Sequence, residues 1–174
     1  MVASCNLCLG TDEKTESGRS PWGASTVTSE LTTTNSITIR APIEKVWKAL
    51  TSPHLIKRWF FGVDTETDWK VGSLLIHRGE HQGKPYEDKG RIVRFEPPEL
   101  LVHTHWSELS GKPDSPEHYQ EVSWALSDRD GATELTITER NLPSEELKAV
   151  SEKTWPVVLD NIKVLVEQEA DKGG

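Results

Sequence analysis

The sequence has little cysteine: Cys5 and Cys8 are the only two, and none follows them. A structural zinc site takes four ligands, and the nearest histidine to this CxxC is His54. A thioredoxin-like motif would open a helix within a βαβ unit, which the flanking residues do not supply. The pair therefore reads as two free thiols holding neither metal nor disulfide. Positive charge is also short, since 20 Lys and Arg face 28 Asp and Glu for a formal charge of −8. Neutralising phosphates takes clustered cations, so nucleic acid and anionic membrane surfaces are excluded as partners. No apolar run approaches the roughly 20 residues of a membrane helix, and no membrane insertion is expected. The start lacks the basic region and apolar stretch of a secretion signal, so the cytoplasm is the expected location. There is no GxSxG, and no cysteine nucleophile in the patterned region. A glycine-rich phosphate loop and a dinucleotide fingerprint are missing too. No cofactor and no metal are expected.

What the chain does have is tryptophan, seven in 174 residues. Each offers a large apolar body and one N–H that needs a partner, which suits both a core and a ligand-cavity wall. Residues 1–34 are Ser, Thr, Gly, Glu and Lys with aperiodic Leu7, Leu9, Trp22, Val27 and Leu31, and read as a disordered tail. Patterning starts at Ser36–Arg40, which alternates as a strand. Pro42 then stands at a first helical position, and Ile43, Val46, Trp47 and Leu50 form one face of a short helix. Ser52-Pro53 repeats that start, with Ser52 as cap, and Leu55, Ile56, Trp59 and Phe60 give the second helix its apolar face.

After Gly62 the period becomes two. Gly72–Arg78, Tyr86–Phe95, Leu100–Trp106, Tyr119–Leu126 and Glu134–Arg140 read as strands separated by turn chemistry, with Asp130-Gly131 a good hairpin signal. Short connections imply an antiparallel meander. Leu147, Val150, Val158, Leu159, Ile162, Leu165 and Val166 return to helical spacing. At Pro156 either Thr154 caps a fresh helix or one helix kinks. The expected fold is α+β: one curved antiparallel sheet of about six strands, two short helices, and a long C-terminal helix packed over a hydrophobic cavity. The domain spans residues 35–168, and residues 169–174 fray.

Several segments resemble a known family. Ile37-Thr38-Ile39-Arg40-Ala41-Pro42 with Val46-Trp47 and Leu50-Thr51 is similar to the opening of the helix-grip, START-like superfamily. Trp59, Val71-Gly72, Gly90, Glu96-Pro97-Pro98, the Thr133–Thr138 strand, and Trp155-Pro156 with Leu159 and Ile162-Lys163 resemble its branch similar to the activator of the heat-shock protein 90 ATPase. The resemblance implies a hydrophobic cavity between sheet and last helix, which family members use for lipids, steroids, polyketides or other small apolar molecules, some as cyclases or aromatases. It also implies a chaperone or other protein as a partner, although the founding activator carries a separate chaperone-binding domain ahead of this one.

Side-chain parity supplies candidates for the cavity lining. Leu74, Ile76 and Arg78 share one face of their strand, as do Trp106 with Leu100, Val102 and Thr104, Trp124 with Val122 and Leu126, and Glu139 with Leu135 and Ile137. Trp59, Val158 and Ile162 face them from the helices. Trp59, Trp106, Trp124 and Trp155 either line a cavity or fill the core. Arg78 and Glu139 are ionisable groups on an apolar face, and such groups pair, titrate abnormally, or reach water at strand ends. By the same parity His103 and His105 point outward, and His77 and His81 read as surface residues beside a turn. The expected function is non-enzymatic binding of a small apolar ligand. The alternatives are a cyclase- or hydratase-type enzyme with Glu139 as general acid or base, and a co-chaperone-like interaction module.

Overall fold

A computed structural model of the chain describes residues 30–172. The expectations for Cys5, Cys8 and the rest of residues 1–29 lie outside the described residues. The elements are β1 (Leu31–Ile39), α1 (Ile43–Thr51), α2 (Pro53–Trp59), β2 (Asp64–Glu66), β3 (Leu74–His81), β4 (Lys84–Glu96), β5 (Leu100–Ser107), β6 (Gln120–Arg129), β7 (Ala132–Leu142) and α3 (Glu145–Lys172). The seven strands form one sheet in the order β1-β7-β6-β5-β4-β3-β2, antiparallel at every pairing. The sheet curves without closing, and α3 packs on its concave face.

Two hairpins turn on paired residues of positive φ. Gln82-Gly83 (φ 52° and 75°) joins β3 to β4, and Asp130-Gly131 (φ 54° and 90°) joins β6 to β7. Two consecutive left-handed residues match the right-handed twist of the flanking strands. Gly79 lies within β3.

Several boundaries differ from the alternation. β1 begins at Leu31, because residues 31–34 continue the ladder with β7, and Thr33 is buried. The polar Thr run hid that strand. A seventh strand, β2, is three residues long and too short to show a period. Ser52 holds the N-cap position of α2, but its side chain makes no capping hydrogen bond. Helix α3 runs unbroken for 28 residues with Pro156 inside it and continues through Lys172, past the fray expected at 169. The proline ring leaves the Glu152 carbonyl without its helical donor.

The core lies between α3, α1 and the sheet. Val158, Leu159, Ile162, Leu165 and Val166 of α3 meet Ile39, Leu135 and Ile137, all buried. Thr133 is fully buried and donates to the Ala41 carbonyl at 2.7 Å. Trp59 Nε1 donates to the Ala49 carbonyl at 2.9 Å, tying α2 to α1, and Asn161 of α3 donates to the Trp59 carbonyl at 3.2 Å.

The β4–β5 ladder is irregular at its middle. Pairing lapses between Lys89↔Trp106 and Ile92↔His103 with the register unchanged, and the register then shifts between Ile92 and Arg94. Within the lapse the Arg91 amide donates to the Thr104 hydroxyl at 3.0 Å. The Thr104 carbonyl lies so close to Gly90 that an added Cβ would meet it at 1.8 Å. Glycine is thus required by backbone approach rather than by φ. Replacing Gly90 with alanine should cost about 3 kcal/mol by overpacking against main chain. Gly79→Ala should cost less, because it meets only the movable Tyr86 side chain. Urea denaturation of both variants checks this, and a Gly90→Ala protein as stable as the parent would contradict the contact.

Candidate functional site

Where the concave sheet face meets α2 and Trp155 of α3, the side chains leave a cavity of about 90 Å³. Its walls are apolar and largely aromatic. Leu50 comes from α1, Ile56 and Trp59 from α2, Phe60 and Trp69 from the connection to β3, and Trp155 from α3. The sheet floor carries Leu75 and His77 on β3, Leu101, His103 and His105 on β5, Val122 and Trp124 on β6, and Glu139 on β7. Trp124 stands edge-on to two wall residues, 5.9 Å from Trp59 and 5.7 Å from Trp155 between ring centroids. Such edge-to-face contacts suit the ring quadrupole.

The polar groups of the floor have assignable roles. Trp124 Nε1 can only donate, and it points at His103 Nε2 at 3.2 Å. The Thr104 carbonyl can only accept, and it faces His103 Nδ1 at 3.0 Å. His103 therefore carries its proton on Nδ1 and is neutral. Burial pushes its pKa down to about 4. His77 is held down to about 3, first by burial and then by the nearby His103 and His105; its Nδ1 lies 2.9 Å from the Thr65 hydroxyl. His105 behaves oppositely. Burial works against its charge, but the hydrogen bond to Asp88 (Nε2 to Oδ2, 3.3 Å) and the charges of Asp88 and Glu139 raise its pKa overall. The second oxygen of Asp88 is buried without a hydrogen-bond partner. Glu139 is 6% exposed and accepts from Trp155 Nε1 at 2.8 Å. Among the described residues no cluster of three His, Cys, Asp or Glu side chains is placed to hold a metal ion.

Of the residues read as cavity-lining, Trp59, Trp124 and Glu139 line this space. Leu135, Ile137, Val158 and Ile162 lie deeper, fully buried in the core. Leu74, Ile76 and Arg78 are corrections. Leu75 and His77 take the inner face of β3, leaving Leu74 49% exposed. Arg78 is on the outer face, bound to Glu66 at 2.7 Å and Glu87 at 2.9 Å rather than to Glu139. Three apolar residues in a row, Leu74-Leu75-Ile76, made the parity of β3 ambiguous. On β5 the expected faces are reversed: Leu101, His103 and His105 face inward. Trp106 packs on the other side, its Nε1 donating to the Lys112 carbonyl at 3.2 Å with the Lys89 ammonium 5.7 Å from its ring. The β5–β6 connection covers that outer side, so both faces of β5 carry buried residues and hydrophobicity cannot separate them. The histidines, Asp88 and Trp69 were missed as site residues. The alternation His103-x-His105 was the available signal, once β5 parity was right.

The comparisons with known proteins agree with this architecture. The model of the family "Activator of Hsp90 ATPase homolog 1-like protein" matches residues 40–167. A solution structure from Cytophaga hutchinsonii is 39% identical, with 81% of this chain and 97% of that one covered and a TM-score of 0.71. CalU16 from Micromonospora echinospora is 26% identical over 82% of this chain and 80% of that one, TM-score 0.63. The Aha1 dimer from Colwellia psychrerythraea is 22% identical, covers 79% and 96%, and has a TM-score of 0.63, a likeness of fold. No curated protein matches. Among the described residues no helix is long and apolar enough to cross a membrane.

The histidine floor predicts a pH dependence of stability. A group whose native pKa is depressed binds its proton more readily in the unfolded chain, so stability is full above the unfolded value near 6.5 and is lost as pH falls toward the native one. His77 and His103 act in this sense. His105, with its raised pKa, acts oppositely and contributes stability that is lost as pH rises. Two against one leaves a net loss of the order of 2 kcal/mol between pH 6.5 and 5, above the range where carboxylates titrate. Urea midpoints at pH 7.5, 6.5 and 5 measure it. His103→Gln keeps an acceptor for Trp124 and should flatten the slope; an unchanged midpoint in the parent would refute this account.

Proposed function

The chain belongs to the Activator of Hsp90 ATPase homolog 1-like family, and from that premise we propose that it binds a small, mostly apolar molecule between the sheet and α3, without turning it over. One observation carries the reading: within a close-packed interior, four tryptophans and Phe60 surround a space of about 90 Å³ that no side chain fills. Interiors normally close such voids, because unfilled space forfeits dispersion contacts. An apolar guest would recover them and remove its own surface from water, at about 25 cal/mol per Å². The floor groups would set its orientation.

Size limits the guest. An engineered apolar cavity of about 150 Å³ admits benzene, so a single ring fits here only with side-chain movement or with one end left in the mouth. Two of the floor imidazoles are closed to acid–base chemistry. Both nitrogens of His103 are engaged by protein partners, and those of His105 face Asp88 and Gln120. A general base needs a free lone pair within reach of substrate, and these two imidazoles offer none.

Toluene is a suitable probe. It should quench tryptophan emission and raise the melting temperature by mass action, equivalent to about 2.7 kcal/mol at a hundredfold excess over Kd. Val122 lines the space, and Val122→Phe should fill it, giving a protein close to parent stability that no longer responds to toluene. A parent that ignores toluene, with a Val122→Phe variant destabilised by about 1–3 kcal/mol from overpacking, would sink the ligand-binding reading and leave the fold intact.

A further inference from the structure

The cavity has a charge imbalance. Neither Lys nor Arg lines it. Glu139 is only 6% exposed, and of its two oxygens one accepts from Trp155 Nε1. The other has no hydrogen-bond or ion-pair partner among the described residues. Behind the floor, Asp88 gives one oxygen to His105 and keeps the other buried and unpartnered. His103 is locked neutral by Trp124 and the Thr104 carbonyl. Two carboxylates thus face one imidazole able to carry positive charge. Around them stand indole rings, whose π faces are negative and attract cations.

This arrangement discriminates among ligand head groups. A carboxylate would set like charge against Glu139 in a place poor in water to screen it. A hydroxyl could donate one hydrogen bond to the free oxygen but would leave the charge uncompensated. An ammonium does both, and can rest against an indole face as well. We propose that the ligand is an amine: a protonated amino group on an apolar body, the ammonium bound by Glu139 and the body held among Trp59, Trp124 and Trp155. The proposal rests on the cavity reading above and gives it a substrate class.

Benzylamine, benzyl alcohol and benzoate share a ring and differ in the head group, and toluene lacks one. The experiment titrates each into the full chain at pH 7.5 and constant ionic strength, following indole N–H resonances of ¹⁵N-labelled tryptophan. Benzylamine should bind at least tenfold more tightly than benzyl alcohol and shift the Trp155 indole signal most, while benzoate should not bind. Glu139→Gln should bring benzylamine down to the level of the alcohol. If the parent binds toluene but takes the alcohol or benzoate as well as the amine, the amine proposal is overturned and the cavity reading stands. If none of the four binds, both fall. The ranking in the parent decides the matter even if Glu139→Gln does not fold.

Discussion

The Thr104 carbonyl is the atom on which the interior depends. In a regular antiparallel ladder it would be spent on the neighbouring strand. Here the Arg91 amide takes the Thr104 hydroxyl instead, and the carbonyl sits against the bare α-carbon of Gly90, where it receives His103 Nδ1. That bond fixes the tautomer of His103, leaving Nε2 as an acceptor for Trp124. Trp124, once held, sets the edge-to-face contacts with Trp59 and Trp155. Trp155 in turn reaches Glu139. A chain of single donors and single acceptors, each with one available partner, thus runs from the sheet irregularity to the cavity wall.

Such a chain explains how the space persists. A buried indole N–H without a partner is costly, so neither Trp124 nor Trp155 can swing into the void without losing a hydrogen bond. The large side chains that could fill the cavity are held at its rim by their polar ends. The same logic makes the floor polar: the acceptors that serve the indoles must themselves be buried. A cavity built this way carries histidines and a carboxylate as a condition of its walls.

The fold was legible in the sequence because it rests on periodicity and turn chemistry. The switch from helical spacing at Ile43–Leu50 to alternation after Gly62, the Asp130-Gly131 hairpin and the apolar stripe from Val158 to Val166 each correspond to an observed element. The site was less legible because parity assigns a face only when one face is apolar. β6 and β7 satisfy that condition, and Trp124 and Glu139 followed from it. β3 has three consecutive apolar residues, and β5 buries Leu101 and His103 on one side with Val102 and Trp106 on the other. On those strands alternation carried no sign, and Arg78, Trp106 and both histidines were placed on the wrong face. The Gly90 contact is a long-range approach between two backbones, which no local pattern encodes.

Helix α3 is anchored unevenly, and the division falls at Pro156. Beyond it Val158, Leu159, Ile162, Leu165 and Val166 are all buried, and Arg40 on the β1–α1 connection binds Glu167. Between Glu145 and Val157 no side chain is fully buried. That half is held over the cavity mainly by Trp155, through Glu139 and Trp124. Local opening takes least free energy where few apolar side chains are buried, and the proline has already removed one backbone hydrogen bond at the junction. The core half of α3 can therefore stay packed while the half over the cavity yields. In the proposed binding, a molecule approaching Glu139 from that side would compete with one indole N–H rather than with the core, so that entry and fold stability would depend on different ends of the same helix.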